Sequence, residues 1–252
     1  MTQTMTSPWP EGCQGAISLT FDDGRQSQLD IAIPLLDDYD LKGTFYLPFG
    51  SDDWQERLAP WHEVALSGHE IGNHTVSHPC SRNFSFSDDP KKVLETMTLA
   101  DIEADIVEAS RRLHLLVPEQ EDCTFCYPCY QDYVGEGRTR QSYVPIVAQH
   151  FPAARGRGER ANHPFLTDLH YLYSWPDDGM PGAKLISLTE SAVTQGRWGI
   201  FTFHNVHRDD PFTPTPAFRR LCAFLVKHQD RIWVAPVVTV AHRIIEWRKE
   251  QV

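Results

Sequence analysis

Two patterns of apolar and polar positions alternate along the chain. Short runs of β-branched, aromatic and aliphatic residues read as strands, and most are followed by apolar residues at helical spacing. Strands are predicted over 16–21, 43–47, 69–73, 124–127, near Ala153, and over 198–203 and 232–237. Helices are predicted over 29–36, 60–67 (ended by Gly68), 90–114, 140–150, 215–228 and 240–249. In the longest, Val93, Leu94, Met97, Ile102, Ile106 and Leu113 recur close to the 3.6-residue period. Pro90 after Asp88 and Asp89 suits a helix start. Segment 159–182, rich in Pro, Gly, Asp and aromatics, fits neither pattern and predicts a long functional loop. Strands alternating with helices predict an α/β protein with a parallel sheet, open or closed into a barrel, in one domain over 1–252.

Composition narrows the choice of partners. At 41% hydrophobic and 23% charged, the 252-residue chain is an ordinary globular one, not disordered, collagenous or coiled-coil. Its net charge of −11 repels phosphate backbones, and the one dense basic cluster, Arg155, Arg157 and Arg160, is interrupted by glycines and Glu159. No nucleic-acid partner is expected. No apolar run approaches the ~20 residues that span a bilayer, and residues 1–12 lack the features of a secretory leader. A cytoplasmic protein is expected, or a secreted one if a leader was removed ahead of this numbering. Six cysteines in so long a chain do not read as a disulfide framework, so reduced thiols are expected. Cys123, Cys126 and Cys129 form C-x2-C-x2-C, but an iron–sulfur or second zinc site would need a further cysteine nearby. Strand packing is the better account of them.

In parallel α/β folds, polar residues at the C-terminal ends of strands face the active site. Three predicted strands end in reactive groups: Asp22-Asp23-Gly24, Asn73-His74 running on to His78, and His204-Asn205. Two histidines four apart can share one face of a helix or strand and reach one ion. A carboxylate from another strand would complete a three-ligand site with an open position for water. Adjacent Asp22 and Asp23 suit a division of labour, one on the metal and one accepting a proton. An isolated Asp-Asp-Gly is usually only a turn, and two of 12 histidines often fall four apart by chance. Both pairs following short strands coincide far less readily.

Thr20-Phe21-Asp22-Asp23-Gly24, His74-Thr75-Val76-Ser77-His78 and Thr202-Phe203-His204 resemble three signature motifs of the polysaccharide deacetylase family, carbohydrate esterase family 4. The resemblance spans about 16–240, in the family's motif order. It implies a distorted, incomplete (β/α) barrel and one divalent metal, commonly zinc, with cobalt, nickel or iron also suited to such ligands. It makes Asp23, His74 and His78 the metal ligands, Asp22 the catalytic base and His204 the acid that protonates the leaving amine. The family's third motif, Arg-x-Pro-Tyr-Gly, is altered to Cys126-Tyr127-Pro128-Cys129-Tyr130. The Cys129 backbone N–H can still serve as oxyanion donor, but the arginine that orients the base is missing. Arg155 is the candidate replacement, with Arg157 the runner-up. Asp168 or the Trp175-Pro176-Asp177 segment stands in for a fourth motif. Among aromatics expected near the mouth, Trp54, Tyr130, Tyr133 and Trp175, we take Tyr130 and Trp175 as substrate-stacking candidates.

The function implied is metal-dependent removal of N-acetyl or O-acetyl groups from a saccharide or small amide. The acidic chain favours a neutral substrate over an anionic polymer. The alternatives are hydrolysis of another C–N bond, in a cyclic amide or imide, and a non-catalytic carbohydrate-binding homologue.

Overall fold

Strand β1 (Gly15–Asp22) is buried at every position. Alternation along it divides the molecule: Ile17, Leu19 and Phe21 join the main apolar cluster, while Ser18, Thr20 and Asp22 are buried polar groups on the opposite face. The computed structural model describes residues 7–85, 87–177, 179–207 and 215–251. In chain order the other strands are β2 (Thr44–Leu47), β3 (Glu70–Asn73), β4 (Phe125–Cys126), β5 (Tyr133–Val134), β6 (Gln141–Ser142), β7 (Ala154–Arg155), β8 (Trp175–Pro176), β9 (Trp198–Phe203) and β10 (Ile232–Val234). The main sheet runs β7-β4-β3-β2-β1-β9-β8 with every pairing parallel. Strand β9 pairs with β1 from Ala16 to Phe21, β10 pairs with Gly15–Ile17, and β2 pairs with Thr20–Asp22. Strands β5 and β6 form a separate antiparallel hairpin.

The helices are α1 (Ile33–Asp38), α2 (Trp54–Leu58), α3 (Pro60–Leu66), α4 (Leu99–Leu116), α5 (Val144–His150), α6 (Gly182–Thr194), α7 (Thr215–Lys227) and α8 (Val237–Glu250). With the curled sheet they make the expected incomplete (β/α) barrel. Phe21 stacks on Phe45 at 4.7 Å between ring centres and meets Phe203 at 5.3 Å and Phe218 of α7 at 5.8 Å, so aromatic burial fixes sheet against helix. No helix among the described residues is long and apolar enough to cross a membrane.

Four expectations change. The helix predicted over 140–150 begins only at Val144, because Gln141–Ser142 form β6. The helix predicted from Pro90 starts at Leu99, where Thr98 and Asp101 form a reciprocal capping box. Upstream, the Lys92 carbonyl and Leu94 N–H bond the backbone of Cys80 at 3.1 and 3.2 Å, and that bridge uses groups a helix would need. Between 182 and 198, where no element is predicted, lies α6, whose buried Leu185, Thr189, Ala192 and Val193 follow helical spacing. Within the predicted long loop 159–182 lies the short strand β8.

Glu70 ties the open sheet together. Its buried carboxylate accepts from the Thr124 N–H (2.7 Å) and hydroxyl (2.6 Å) on one oxygen, and from the Thr44 hydroxyl (2.8 Å) and Val238 N–H (2.9 Å) on the other. It thereby joins β2, β3 and the start of α8 to the residue before β4. An amide at this position would turn one acceptor into donors facing donors. Glu70→Gln is expected to cost about 2–4 kcal/mol, read from the urea midpoint. A loss below about 0.5 kcal/mol would contradict this role.

Candidate active site

Because the sheet is parallel, its C-terminal strand ends share one rim. A cavity of about 800 Å3 opens there, lined among others by Asp22, Asp23, His74, His78, Cys129, Tyr130, Asp177 and His204. Asp22 ends β1; Asp23 follows with φ +74°, which turns its carboxylate away from the strand's own alternation. Asp23 Oδ1 lies 3.6 Å from His74 Nε2 and 3.2 Å from His78 Nε2. Its other oxygen pairs with Arg25 at 2.8 Å.

The two histidines sit on neither helix nor strand. His74 follows β3, and the loop to His78 carries left-handed residues at Thr75 (φ +64°) and His78 (φ +51°). Side chains hold this turn. Asn73 Oδ1 accepts from the Thr75 N–H (2.8 Å), and the Thr75 hydroxyl accepts from the His78 N–H (3.0 Å). Asp105 of α4 accepts from the N–H groups of Val76 (2.9 Å) and Ser77 (3.1 Å). Nothing in the spacing of Asp105 marks it; only the fold brings α4 under the loop.

Asp22 points the other way, to Arg155. The Arg155 side chain is fully buried, and its Nη2 lies 2.5 Å from both carboxylate oxygens. Its Nη1 donates to the Thr202 hydroxyl at 2.7 Å, and the Tyr46 and Tyr130 rings lie 5.2 and 5.7 Å from the guanidinium. Register explains the relocation: Arg155 on β7 is the direct neighbour of Cys126 on β4. An arginine shifted one strand outward reaches the same carboxylate. Arg157, the runner-up, lines the cavity and pairs with Glu159 at 2.7 Å instead. Burial raises the Asp22 carboxyl, but Arg155, His74 and His204 outweigh it and hold the group below the usual carboxylate range. Burial likewise opposes ionisation of Asp23, and the adjoining His74 and His78 overturn it, so this group too is held low. Burial pushes the His74 imidazole down, toward the neutral form.

Asp23, His74 and His78 fit a divalent cation. One donor atom from each lies within 4.8 Å of the others. His74 Nδ1 is 2.9 Å from the Cys126 carbonyl, which can only accept, so the ring proton sits on Nδ1 and Nε2 presents its lone pair. A second trio, Asp22, His74 and Cys126, is close enough too, but the Arg155 cation already lies against Asp22 and Cys126. No donor group found among the described residues holds more than one of Cys123, Cys126 and Cys129. Cys126 is buried against Asp22, and Cys129 forms a disulfide with Cys80. The expectation of reduced thiols throughout therefore fails at one pair.

His204 follows β9; its Nε2 lies 3.9 Å from Asp22 Oδ2. Gln28, which the sequence did not single out, donates to the backbone carbonyls of both Asp22 (2.6 Å) and His204 (2.7 Å), fixing the two strand ends together. Tyr130 lines the cavity. Trp175 does not: it is 6% exposed, packs on Phe201 at 5.2 Å, and fills the space left by Gly199, where a Cβ would come within 2.7 Å of its ring. It is a core residue, and Trp54 is buried as well. Asp177 from the same segment does reach the cavity, whereas Asp168 caps the turn Leu169–Tyr171.

Removing one partner of the Arg155–Asp22 pair strands a charge in the interior. Arg155→Met is expected to destabilise the fold by about 3–5 kcal/mol. Arg155→Met with Asp22→Leu should cost less than the sum of the single changes, by at least about 2 kcal/mol in a urea double-mutant cycle. Additive losses would show that the two groups do not act as a pair.

The fold has wide parallels. The allantoinase Puue superposes with a TM-score of 0.65 at 13% identity, covering 96% of this chain and 94% of that one. A candidate polysaccharide deacetylase from Mycobacterium smegmatis gives 0.63 at 17% identity, covering 96% and 95%. A family 4 acetyl xylan esterase from Clostridium thermocellum, solved with a cobalt ion, gives 0.54 at 19%, covering 89% of each. No curated protein matches the sequence. A family model described as polysaccharide deacetylase matches residues 10–136, half of the chain, from the segment before β1 to just beyond β5. With Asp22, Asp23, His74, His78 and the altered third motif all inside that match, the chain belongs to the polysaccharide deacetylase family.

Proposed function

We propose that this protein is a metal-dependent deacetylase that hydrolyses N-acetyl or O-acetyl groups on a saccharide or small amide, its chain forming one catalytic domain. The observation that carries the reading is the division between neighbours: Asp22 faces Arg155 and Asp23 faces two histidines. A divalent cation on Asp23, His74 and His78, zinc in the first place and cobalt, nickel or iron otherwise, would supply Lewis acidity and lower the pKa of water from ~15.7 toward ~7. Asp22, kept ionised and aimed by Arg155, accepts the proton of the attacking water. The Cys129 N–H, which bonds no other group among the described residues, donates to the oxyanion. His204 protonates the departing nitrogen. Tyr130 offers a ring face to the substrate.

The altered segment Cys126–Tyr130 supports a second reading on the same residues, opening of a cyclic amide or imide; an allantoinase shares the fold.

The test is protein stripped by chelator and reloaded with zinc or cobalt. It is assayed for acetate release from chito-oligosaccharides, acetylated xylan and small N-acetyl amides. Chelation should abolish turnover and one equivalent of metal restore it. Asp22→Asn should lower kcat by about 10²–10⁴ on every substrate. His204→Ala should impair N-acetyl amides by a similar factor but spare p-nitrophenyl acetate, whose leaving group departs without a proton. Ring opening without acetate release would select the second reading. Metal-loaded protein inactive on every acetylated substrate and on cyclic amides and imides alike would remove both.

A further inference from the structure

The disulfide between Cys80 and Cys129, whose Cα atoms are 5.7 Å apart, joins two loops that the mechanism uses separately. Cys80 lies two residues after His78, and its Sγ is 3.8 Å from His78 Nδ1. Cys129 sits in the altered third motif. Its φ is +53° and that of Tyr130 +59°, two successive left-handed residues with side chains. Left to itself such a pair relaxes toward right-handed or extended backbone, because Cβ then clears the carbonyl oxygen. Local bonds from the Tyr130 N–H to the Tyr127 carbonyl and from the Gln131 N–H to the Pro128 carbonyl, both 3.0 Å, oppose this.

The cross-link adds an anchor from outside the loop. Cys80 is itself fixed, its N–H and carbonyl paired with Lys92 and Leu94. Beside it the Ser81 N–H donates to Gln131 Oε1 at 2.7 Å, so a second tie spans the same gap. Both loops line one cavity.

We propose that Cys80 is a positioning residue for hydrolysis, holding the Cys129 N–H in register with His78 through the disulfide. The inference rests on the reading of Cys129 as oxyanion donor. The protein's redox state thereby sets how well the oxyanion is bound. A phosphine supplies the two electrons that break the S–S bond; it takes oxygen from water to become the phosphine oxide, and the two sulfurs leave as thiols.

The experiment uses the full chain, metal-loaded, before and after phosphine treatment verified by counting thiols, alongside Cys80→Ser. Both reduction and the variant should lower kcat on the preferred acyl substrate by about 10- to 100-fold with KM changed less than about threefold. Phosphine should do nothing further to Cys80→Ser. Backbone ¹⁵N order parameters at Cys129 and Tyr130 should fall from about 0.85 to below about 0.6 on reduction of the intact fold. Lower thermal stability with kcat unchanged would make the bond merely structural and overturn the proposal. If no acyl substrate is turned over, the functional reading fails, and the order parameters still decide: rigid residues 129 and 130 in the reduced protein overturn the positioning role.

Discussion

The buried contact between Arg155 and Asp22 is the constraint around which the rest is arranged. A guanidinium and a carboxylate taken out of water are stable only together. Here the arginine comes from β7, one edge of the sheet, and the carboxylate from β1 near its middle. Its other arm reaches Thr202 on β9 and, at 3.3 Å, Ser174 just before β8. One buried side chain thus spans the gap that, among the described residues, no strand pairing closes. The backbone follows it: Gly156 and Leu172 exchange a 2.9 Å bond alongside, and Ala154 and Leu172 one of 2.8 Å. Holding Asp22 ionised and bridging the open side of the sheet are one task.

Backbone strain concentrates at the same rim. Asp23, Thr75, His78, Cys129 and Tyr130 all have positive φ without being glycine. Residues in that region persist only where surroundings over-determine them, and such places are usually functional. Each has an identifiable restraint: the two histidines for Asp23, the Asn73–Thr75–His78 chain for the loop after β3, the cross-link for the third motif.

Much of this was legible in the amino-acid order. Strand ends followed by Asp-Asp and by paired histidines are local signals, and parallel topology converts them into one rim. The incomplete barrel followed from alternation together with the motif resemblance. Arg155 was reachable because it ends the next predicted strand, so register could bring it beside Cys126. What escaped was long-range. The partners Cys80 and Cys129 are 49 residues apart, and no periodicity encodes that pairing. Trp175 looked like a loop aromatic because the vacancy it fills belongs to Gly199, on a different strand. The helix predicted from Pro90 failed because Cys80 claims the backbone of 92–94, another non-local demand overriding a sound local start signal. The turn of 182–194 into a helix was readable from Leu185, Ala192 and Val193 and was obscured only by the irregular residues before it.

The way β1 shares its edges has a consequence for how the molecule breathes. With β9 along one side and β10 and β2 dividing the other, its amides are the hardest in the sheet to open without global unfolding. Asp22 ends that segment, and Asp23 follows it directly. Arg155 is carried by a two-residue strand at the periphery. Sub-global fluctuations that open the short outer strand will peel the arginine from the carboxylate before the fold as a whole is lost.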